Sequence, residues 1–166
     1  MNRQQLIAEL KEMGIEVKDG KVKMSAIEAA LSKPHCVTSM MDGQFWSIVK
    51  EIGWEKNPNI EATKQKLIKK YTPEQMEAFR TKSSYFQSKL QTWLHVIERD
   101  SDYRIPESDD GLSDILAHIV GLGKTHYDKV LKELSGRKTD TIDNYAEGKP
   151  KAVENFHYVI PREEDY

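Results

Sequence analysis

The sequence predicts an all-α protein, in which a small helix–extended-loop–helix module is followed by a multi-helix bundle domain. Apolar residues recur at steps of three and four along most of the 166 residues, and this is the spacing of one face of an amphipathic helix. Threonine, proline and glycine interrupt the pattern where helices are expected to begin and end. A content of 38% hydrophobic and 31% charged residues is typical of a globular chain with a buried core.

Cysteine content and the opening stretch predict a cytoplasmic protein of bacterial or phage origin. Cys36 is the only cysteine, which excludes an internal disulfide framework and a cysteine-rich zinc site. The stretch MNRQQLIAELKEMG contains acidic residues and lacks an apolar signal core. No run of about 18 apolar residues is present that could span a membrane, so no membrane partner is predicted.

The chain divides into four predicted segments. Residues 1–34 form the module, 35–42 the linker, and 43–136 the helical domain. Residues 137–166 form a loop-rich segment that packs on the helical domain and has a frayed acidic end. The linker is predicted from the stretch PHCVTSMMDG, which combines proline, glycine and small polar residues without periodicity.

The module is predicted from two short helices around a polar turn. Its sequence, LIAELKEMGIEVKDGKVKMSAIEAAL, resembles modules of the SAP, LEM and Rho-N type. The match lies in the LxxxLKxxGI opening and in the basic KVK before the second helix. Members of that group bind nucleic acid or another protein, so the resemblance implies a recognition module without selecting its ligand.

Three helices are predicted in the first part of the bundle. QFWSIVKEIGW gives the first, Asn59 begins a second that runs to Tyr71, and Thr72 begins the third. Thr72-Pro73-Glu74-Gln75 is a capping box with proline at the first helical position. The third helix is long and carries one apolar stripe, which is typical of a core surface: Met76, Phe79, Ser83, Phe86, Leu90, Trp93, Leu94 and Ile97.

Helical spacing resumes at Leu112 and continues to Gly136, with interruptions at Gly121 and Gly123. Glycine accepts backbone conformations and close approaches that other residues do not, so these two predict a turn or a close helix crossing. RKTDTIDNYAEGKPK is loop-like. The later FHYVI is compatible with a short helix or a strand.

The passage SDDGLSDILAHIVG raises the question of a chemical site. A helix would stack Asp110, Asp114 and His118 on one side, because they stand four residues apart. With Asp109 beside it, this row could hold a divalent metal or pair a carboxylate with an imidazole. The favoured interpretation is structural: Ser108 or Asp109 caps the helix, the other acids lie at its positive end, and His118 borders the apolar face. No catalytic residue, metal or cofactor is therefore predicted.

Charge is unevenly distributed, although the formal net charge is −2. From Lys64 to Lys89 there are seven basic residues against two acidic, and from Glu98 to Asp114 seven acidic against two basic. We interpret both stretches as solvated helix faces and keep the first as a candidate phosphate-binding surface. The candidate binding residues are Lys21, Lys23, Lys64, Lys66, Lys69, Lys70, Trp46 and Trp93.

Residues 42–166 resemble an uncharacterised bacterial family of helical domains of unknown function. The resemblance is carried by DGQFWSIV, YTPEQMEAFRTKSSYF, SDDGLSDILAHIVGLGKTHYDKVL and ENFHYVI. Leu112 stands where the family favours phenylalanine, and the family places an arginine and a tryptophan near Leu116 and His118. The resemblance implies a fold and a domain boundary but no reaction.

Together these features predict a non-enzymatic cytoplasmic binding or regulatory protein that acts through a protein partner. Toxin neutralisation and interference with a host defence are compatible subclasses. Two alternatives stay open: nucleic-acid association through the module and the Lys-rich face, and a metal-dependent enzyme using Asp110, Asp114 and His118. The sequence contains no GxSxG, HExxH or Walker-type pattern.

Overall fold

A computed structural model describes residues 40–105, 108–148 and 156–166, without the side chains of Asp109 and Asp110. These residues belong to the second of the two units into which the chain divides, Thr38–Tyr166. All regular secondary structure within them is helical, and none of them forms a strand, so the prediction of an all-α fold is confirmed. The predicted module at 1–34 and the linker up to residue 39 lie outside the described residues.

Six α-helices and three short 3-10 turns follow one another through the described residues. The α-helices are α1 Asp42–Ile52, α2 Ile60–Lys70, α3 Pro73–Asp100, α4 Asp109–Gly121, α5 Lys124–Ser135 and α6 Asp140–Ala146. The 3-10 turns are Trp54–Lys56, Phe156–Val159 and Glu163–Asp165. Helix α3 is the centre of the bundle, because α1, α4 and α5 all pack against it.

Helix α3 begins as its sequence predicts. The side chain of Thr72 accepts a hydrogen bond from the backbone N–H of Gln75 (3.3 Å), and the Thr72 N–H donates to the Gln75 side chain (2.9 Å). This reciprocal pair satisfies two backbone donors that the first turn would otherwise leave unpaired. The whole predicted apolar stripe of α3 is buried, so that prediction is also confirmed.

Two other helices start at predicted caps, and a glycine ends helix α1. Asn59 accepts from the backbone of Ala62 at the start of α2, and Ser108, rather than Asp109, accepts from Gly111 at the start of α4. Gly53 ends α1 in the left-handed conformation, with φ of 65°. A residue with a Cβ is disfavoured in that conformation, so glycine makes this sharp turn possible.

Part of the segment after α5, predicted as a loop, is helical. Asp140–Ala146, predicted as loop, is helix α6. It is fixed by the burial of Ile142 and by hydrogen bonds from Tyr103 and Thr139 to Asp143 (2.9 and 2.8 Å). These contacts come from distant or flanking residues and outweigh the weak local helix pattern.

The acidic end is held in place rather than frayed. Asp165 forms an ion pair with Lys64 (2.6 Å), and the Tyr166 hydroxyl donates to the backbone carbonyl of Tyr71 (3.0 Å). Nearby, Arg80 donates to the carbonyl of Pro161 (2.7 Å). The FHYVI stretch forms a short 3-10 helix at Phe156–Val159, so of the two alternatives considered above the short helix is the one observed.

An aromatic cluster forms the core between α1, α3 and α5. Phe45 stacks on Phe79 with ring centroids 4.8 Å apart, and Phe86 lies 5.1 Å from Tyr127. Trp46 contacts both Phe86 and Tyr127. The buried Tyr127 hydroxyl donates to the carbonyl of Phe86 (3.2 Å), and burial raises its pKa.

Candidate functional site

The predicted row on α4 does not converge on one partner. His118 is buried, with 5% of its surface exposed, and its Nδ1 accepts a hydrogen bond from Nε1 of Trp54 (3.0 Å). Asp114 instead acts on His157, where its charge opposes the lowering of the His157 pKa by burial. The side chains of Asp109 and Asp110 lie outside the described part. The row therefore gives no carboxylate–imidazole pair between Asp114 and His118.

The described residues do not meet the requirements of a metal site. No group of three or more His, Cys, Asp and Glu side chains within 40–105, 108–148 and 156–166 is placed to hold a metal ion. Structural and catalytic zinc sites need at least three such protein ligands.

Trp54, His118, Gly121 and Phe156 form a tightly packed buried junction. Trp54 meets Phe156 edge to face, with ring centroids 5.4 Å apart. A Cβ added to Gly121 would lie 2.5 Å from Cδ2 of Phe156 and 2.8 Å from Cδ1 of Trp54. Only glycine permits this approach, which confirms that Gly121 serves a close crossing. The junction joins the end of α1, the end of α4 and the C-terminal segment.

Two further aromatic side chains extend the junction towards α5 and α6. The rings of His118 and Tyr145 meet edge to face, 5.1 Å apart. The Tyr145 hydroxyl lies 2.9 Å from Nε2 of His126. Burial lowers the pKa of both histidines, that of His118 to about 4. At neutral pH His118 is therefore an uncharged hydrogen-bond acceptor towards Trp54.

A cleft of about 420 Å³ lies directly beside the junction. Its walls come from α1, the Trp54 turn and the start of α5, and its lining residues are Trp46, Val49, Lys50, Gly53, Trp54, Glu55, Gly121, Leu122, Gly123, Lys124 and Thr125. Trp46, Val49, Trp54 and Leu122 make an apolar interior. Lys50, Glu55, Lys124 and Thr125 are exposed and make a polar rim.

The charged rim of the cleft is only partly neutralised. Lys124 pairs with Asp128, whereas Lys50 and Glu55 form no ion pair with another residue in the described ranges. Gly123 precedes α5 with φ of 95°, and no side chain caps the first turn of that helix. The cleft thus combines an indole-lined interior with charges that are available at its edge.

The predicted lysine surface, Lys64, Lys66, Lys69 and Lys70, is largely occupied by acidic neighbours. Lys66 and Lys70 share the carboxylate of Glu51, at 3.4 and 2.6 Å, and Lys64 pairs with Asp165. The hydrogen bond from Lys70 holds the pKa of Glu51 below its usual range. Within the described residues, Lys69 is the member of this surface that forms no ion pair.

The remaining predicted binding residues fall in three different places. Trp93 is 2% exposed and belongs to the core, so it cannot contact a partner and that prediction is wrong. Trp46 is partly exposed and lines the cleft, and its role in binding stays a prediction. Lys21 and Lys23 lie outside the described residues.

Comparison with known proteins identifies no relative of the chain. No protein-family model, curated protein or solved structure matches the chain. The two resemblances noted in the sequence therefore stay predictions. In the described part of the chain, no helix has both the length and the apolar character needed to cross a lipid bilayer.

Sequence reasoning missed Trp54, Lys50 and Thr125, which the fold brings to one cleft. Trp54 follows Gly53, and a tryptophan placed just beyond a helix stop is a signal for a residue that packs against a distant element. Lys50 and Thr125 carry no comparable signal. They come together because the fold places the start of α5 next to the end of α1.

Proposed function

We propose that the protein is a non-enzymatic cytoplasmic binding protein that holds a segment of a partner protein in the cleft between α1 and the start of α5. The proposal rests on one observation, the composition of the cleft. A partly exposed Trp46 and a buried Trp54 line it. Lys50 and Glu55 lie beside them, and neither has an ion-pair partner among the described residues. Tryptophan is enriched among the residues that dominate protein-binding energy.

The cleft favours a segment that presents an apolar side chain next to a carboxylate. The apolar interior would remove the partner's side chain from water, which contributes about 25 cal/mol per Å² of buried apolar surface. Two lysines, Lys50 and Lys124, border the cleft against one glutamate, Glu55. Lys124 is already paired with Asp128. A carboxylate on the partner would therefore bind to Lys50, the lysine of the rim that forms no ion pair with a described residue.

The other functions considered from the sequence have less support. Phosphate binding needs several available lysines, but three of the four on the lysine surface are already paired with Glu51 or Asp165. The acid–base hypothesis needs Asp114 and His118 to act together, whereas His118 bonds to Trp54 and the charge of Asp114 acts on His157.

Selection from a random peptide library displayed on phage tests the proposal directly. We expect the immobilised full chain to enrich peptides that carry an aromatic or aliphatic residue beside Asp or Glu. The Lys50→Glu variant should reduce the affinity of the selected peptides at least tenfold, because it places a negative charge where the carboxylate would bind. Affinity is measured by calorimetry.

Lys69→Glu is the matched control. Both lysines lie in the last turn of their helix, so both variants oppose the helix dipole to the same extent. We expect Lys69→Glu to bind the selected peptides like the unchanged chain. Equal loss in the two variants, or loss in Lys69→Glu alone, would remove the cleft as the binding site.

A further inference from the structure

The hydrogen bond between Trp54 and His118 requires one protonation state of the imidazole. An indole N–H only donates, so Nδ1 of His118 must accept and carry no proton. The ring proton of the neutral imidazole is then on Nε2, which is buried and has no hydrogen-bond partner among the described groups. The bond is compatible with neutral His118 alone.

A second proton on His118 would convert this contact from attraction to repulsion. Nδ1–H would face the Nε1–H of Trp54 across the present 3.0 Å, and two donors cannot share a hydrogen bond. The new charge would also be buried, with no carboxylate among the causes that act on the pKa of His118. Trp54 would have to move for either nitrogen to reach an acceptor or water.

We propose that the Trp54–His118 hydrogen bond is a proton-sensitive latch on the cleft, in which protonation of His118 releases the Trp54 indole from the cleft wall and lowers affinity for the bound segment. The part that concerns affinity rests on the function proposed above. The same indole both donates to His118 and lines the cleft. Protonation of His118 would therefore act on the cleft through Trp54 directly.

The groups around His118 favour the neutral form. Burial is the main cause that lowers its pKa, and the positive form of His126 on α5 is the second. Tyr145 on α6 presents its ring edge to His118, and burial raises the pKa of the Tyr145 hydroxyl. From the C-terminal segment, His157 faces Asp114 and the backbone of Ser113. Burial therefore keeps the latch closed at neutral pH.

The first experiment follows indole N–H resonances by NMR in the full chain. The Trp54 signal is assigned from Trp54→Phe, and the pH is lowered from about 7 to about 3, because burial lowers the pKa of His118 to about 4. We expect the Trp54 indole signal and the backbone amides of Gly53 and Leu122 to shift together with the imidazole of His118. The Trp93 indole should not follow that curve, because it reports on the core.

The second experiment measures the affinity of a phage-selected peptide over the same range. We expect a loss of about tenfold for each pH unit below the pKa of His118, as linkage between one proton and binding requires. The His118→Asn variant keeps an acceptor oxygen near the position of Nδ1 but cannot titrate there. Its affinity should therefore fall only with protonation of the peptide's own Asp or Glu at about pH 4, a loss that the two proteins share, and should lack the additional loss of the unchanged chain.

The outcomes separate the latch from the binding function. A Trp54 signal that stays constant while His118 titrates overturns the latch, and so does an equal pH-dependent loss in His118→Asn. If no peptide is selected at neutral pH, the proposed function fails, and the indole titration still decides whether Trp54 is released. That titration is measured on the unchanged chain, and the Trp54→Phe variant is needed only to assign the signal.

Discussion

The buried junction and the lysine surface both contain residues that look functional in the sequence, yet they are held by different physics. At the junction, Trp54, His118, Gly121 and Phe156 come from three distant parts of the chain and pack with almost no free space. On the lysine surface, Lys66 and Lys70 are more than half exposed and share one carboxylate. The first arrangement depends on shape and the second on charge, so they should respond differently to substitution, acid and salt.

The largest expected effect comes from acid at the junction. The pKa of His118 is lowered from 6.5 to about 4, so the unfolded chain binds more protons between these values. The stability contribution is therefore complete above pH 6.5 and is lost as the pH falls towards 4, by about 3 kcal/mol at 1.4 kcal/mol per unit. Urea unfolding across this range should show a steeper loss for the unchanged chain than for His118→Asn. Parallel curves for the two proteins would argue against a buried, neutral His118.

The next effect tests the packing of the junction. Gly121→Ala should reduce the free energy of unfolding by about 2 kcal/mol, because the new methyl group overlaps Phe156 and Trp54. Gly43→Ala is the control, since a Cβ there has no neighbour within 4 Å. We expect it to leave stability unchanged or to raise it by less than about 1 kcal/mol. Equal stability of the two variants in urea unfolding would mean that the crossing is looser than described.

A smaller effect is expected at the capping box that follows the lysine surface. Thr72→Ala should cost about 1 kcal/mol, since it removes the oxygen that accepts from Gln75. Thr72→Ser keeps that oxygen and should recover most of the loss. Circular dichroism during thermal unfolding measures both variants. Failure of serine to recover stability would indicate that the threonine methyl group, rather than the hydrogen bond, matters.

The smallest effect is expected on the lysine surface itself. Glu51→Gln removes the charge shared by Lys66 and Lys70 and weakens the bond from the Tyr71 hydroxyl (2.8 Å). We expect a loss of about 0.5 kcal/mol that shrinks at high salt, as for other exposed ion pairs. Glu55→Gln, which loses no ion pair with a described residue, serves as the control. If Glu51→Gln reduced the free energy of unfolding as much as Gly121→Ala, the two regions would not differ in the way described.

The features that could be predicted from the sequence are those encoded within a few neighbouring residues. The capping box at Thr72 involves residues three positions apart, and the stripe of α3 follows from one helical period. Asn59 and Gly136 marked helix ends for the same reason. A local pattern is enough to predict these features because the hydrogen bonds concerned are themselves local.

The features that could not be predicted depend on contacts between distant residues. Helix α6 has a weak local pattern and is fixed by Tyr103 and by the burial of Ile142. His118 bonds to Trp54, 64 positions away, which no helical spacing reveals. The stacking of Asp114 and His118 on one helix was a reasonable expectation. It could not show that each side chain would meet a different partner.

Phe156 has a consequence for the order in which the protein can fold during synthesis. Its ring is fully buried against Trp54, about a hundred residues earlier in the chain. When all the helices up to α6 have left the ribosome, the nascent chain still lacks this part of its interior. Trp54 and Gly121 must therefore stay incompletely covered until residue 156 has left the ribosome, and a stall before that point would leave an indole exposed to chaperones and proteases.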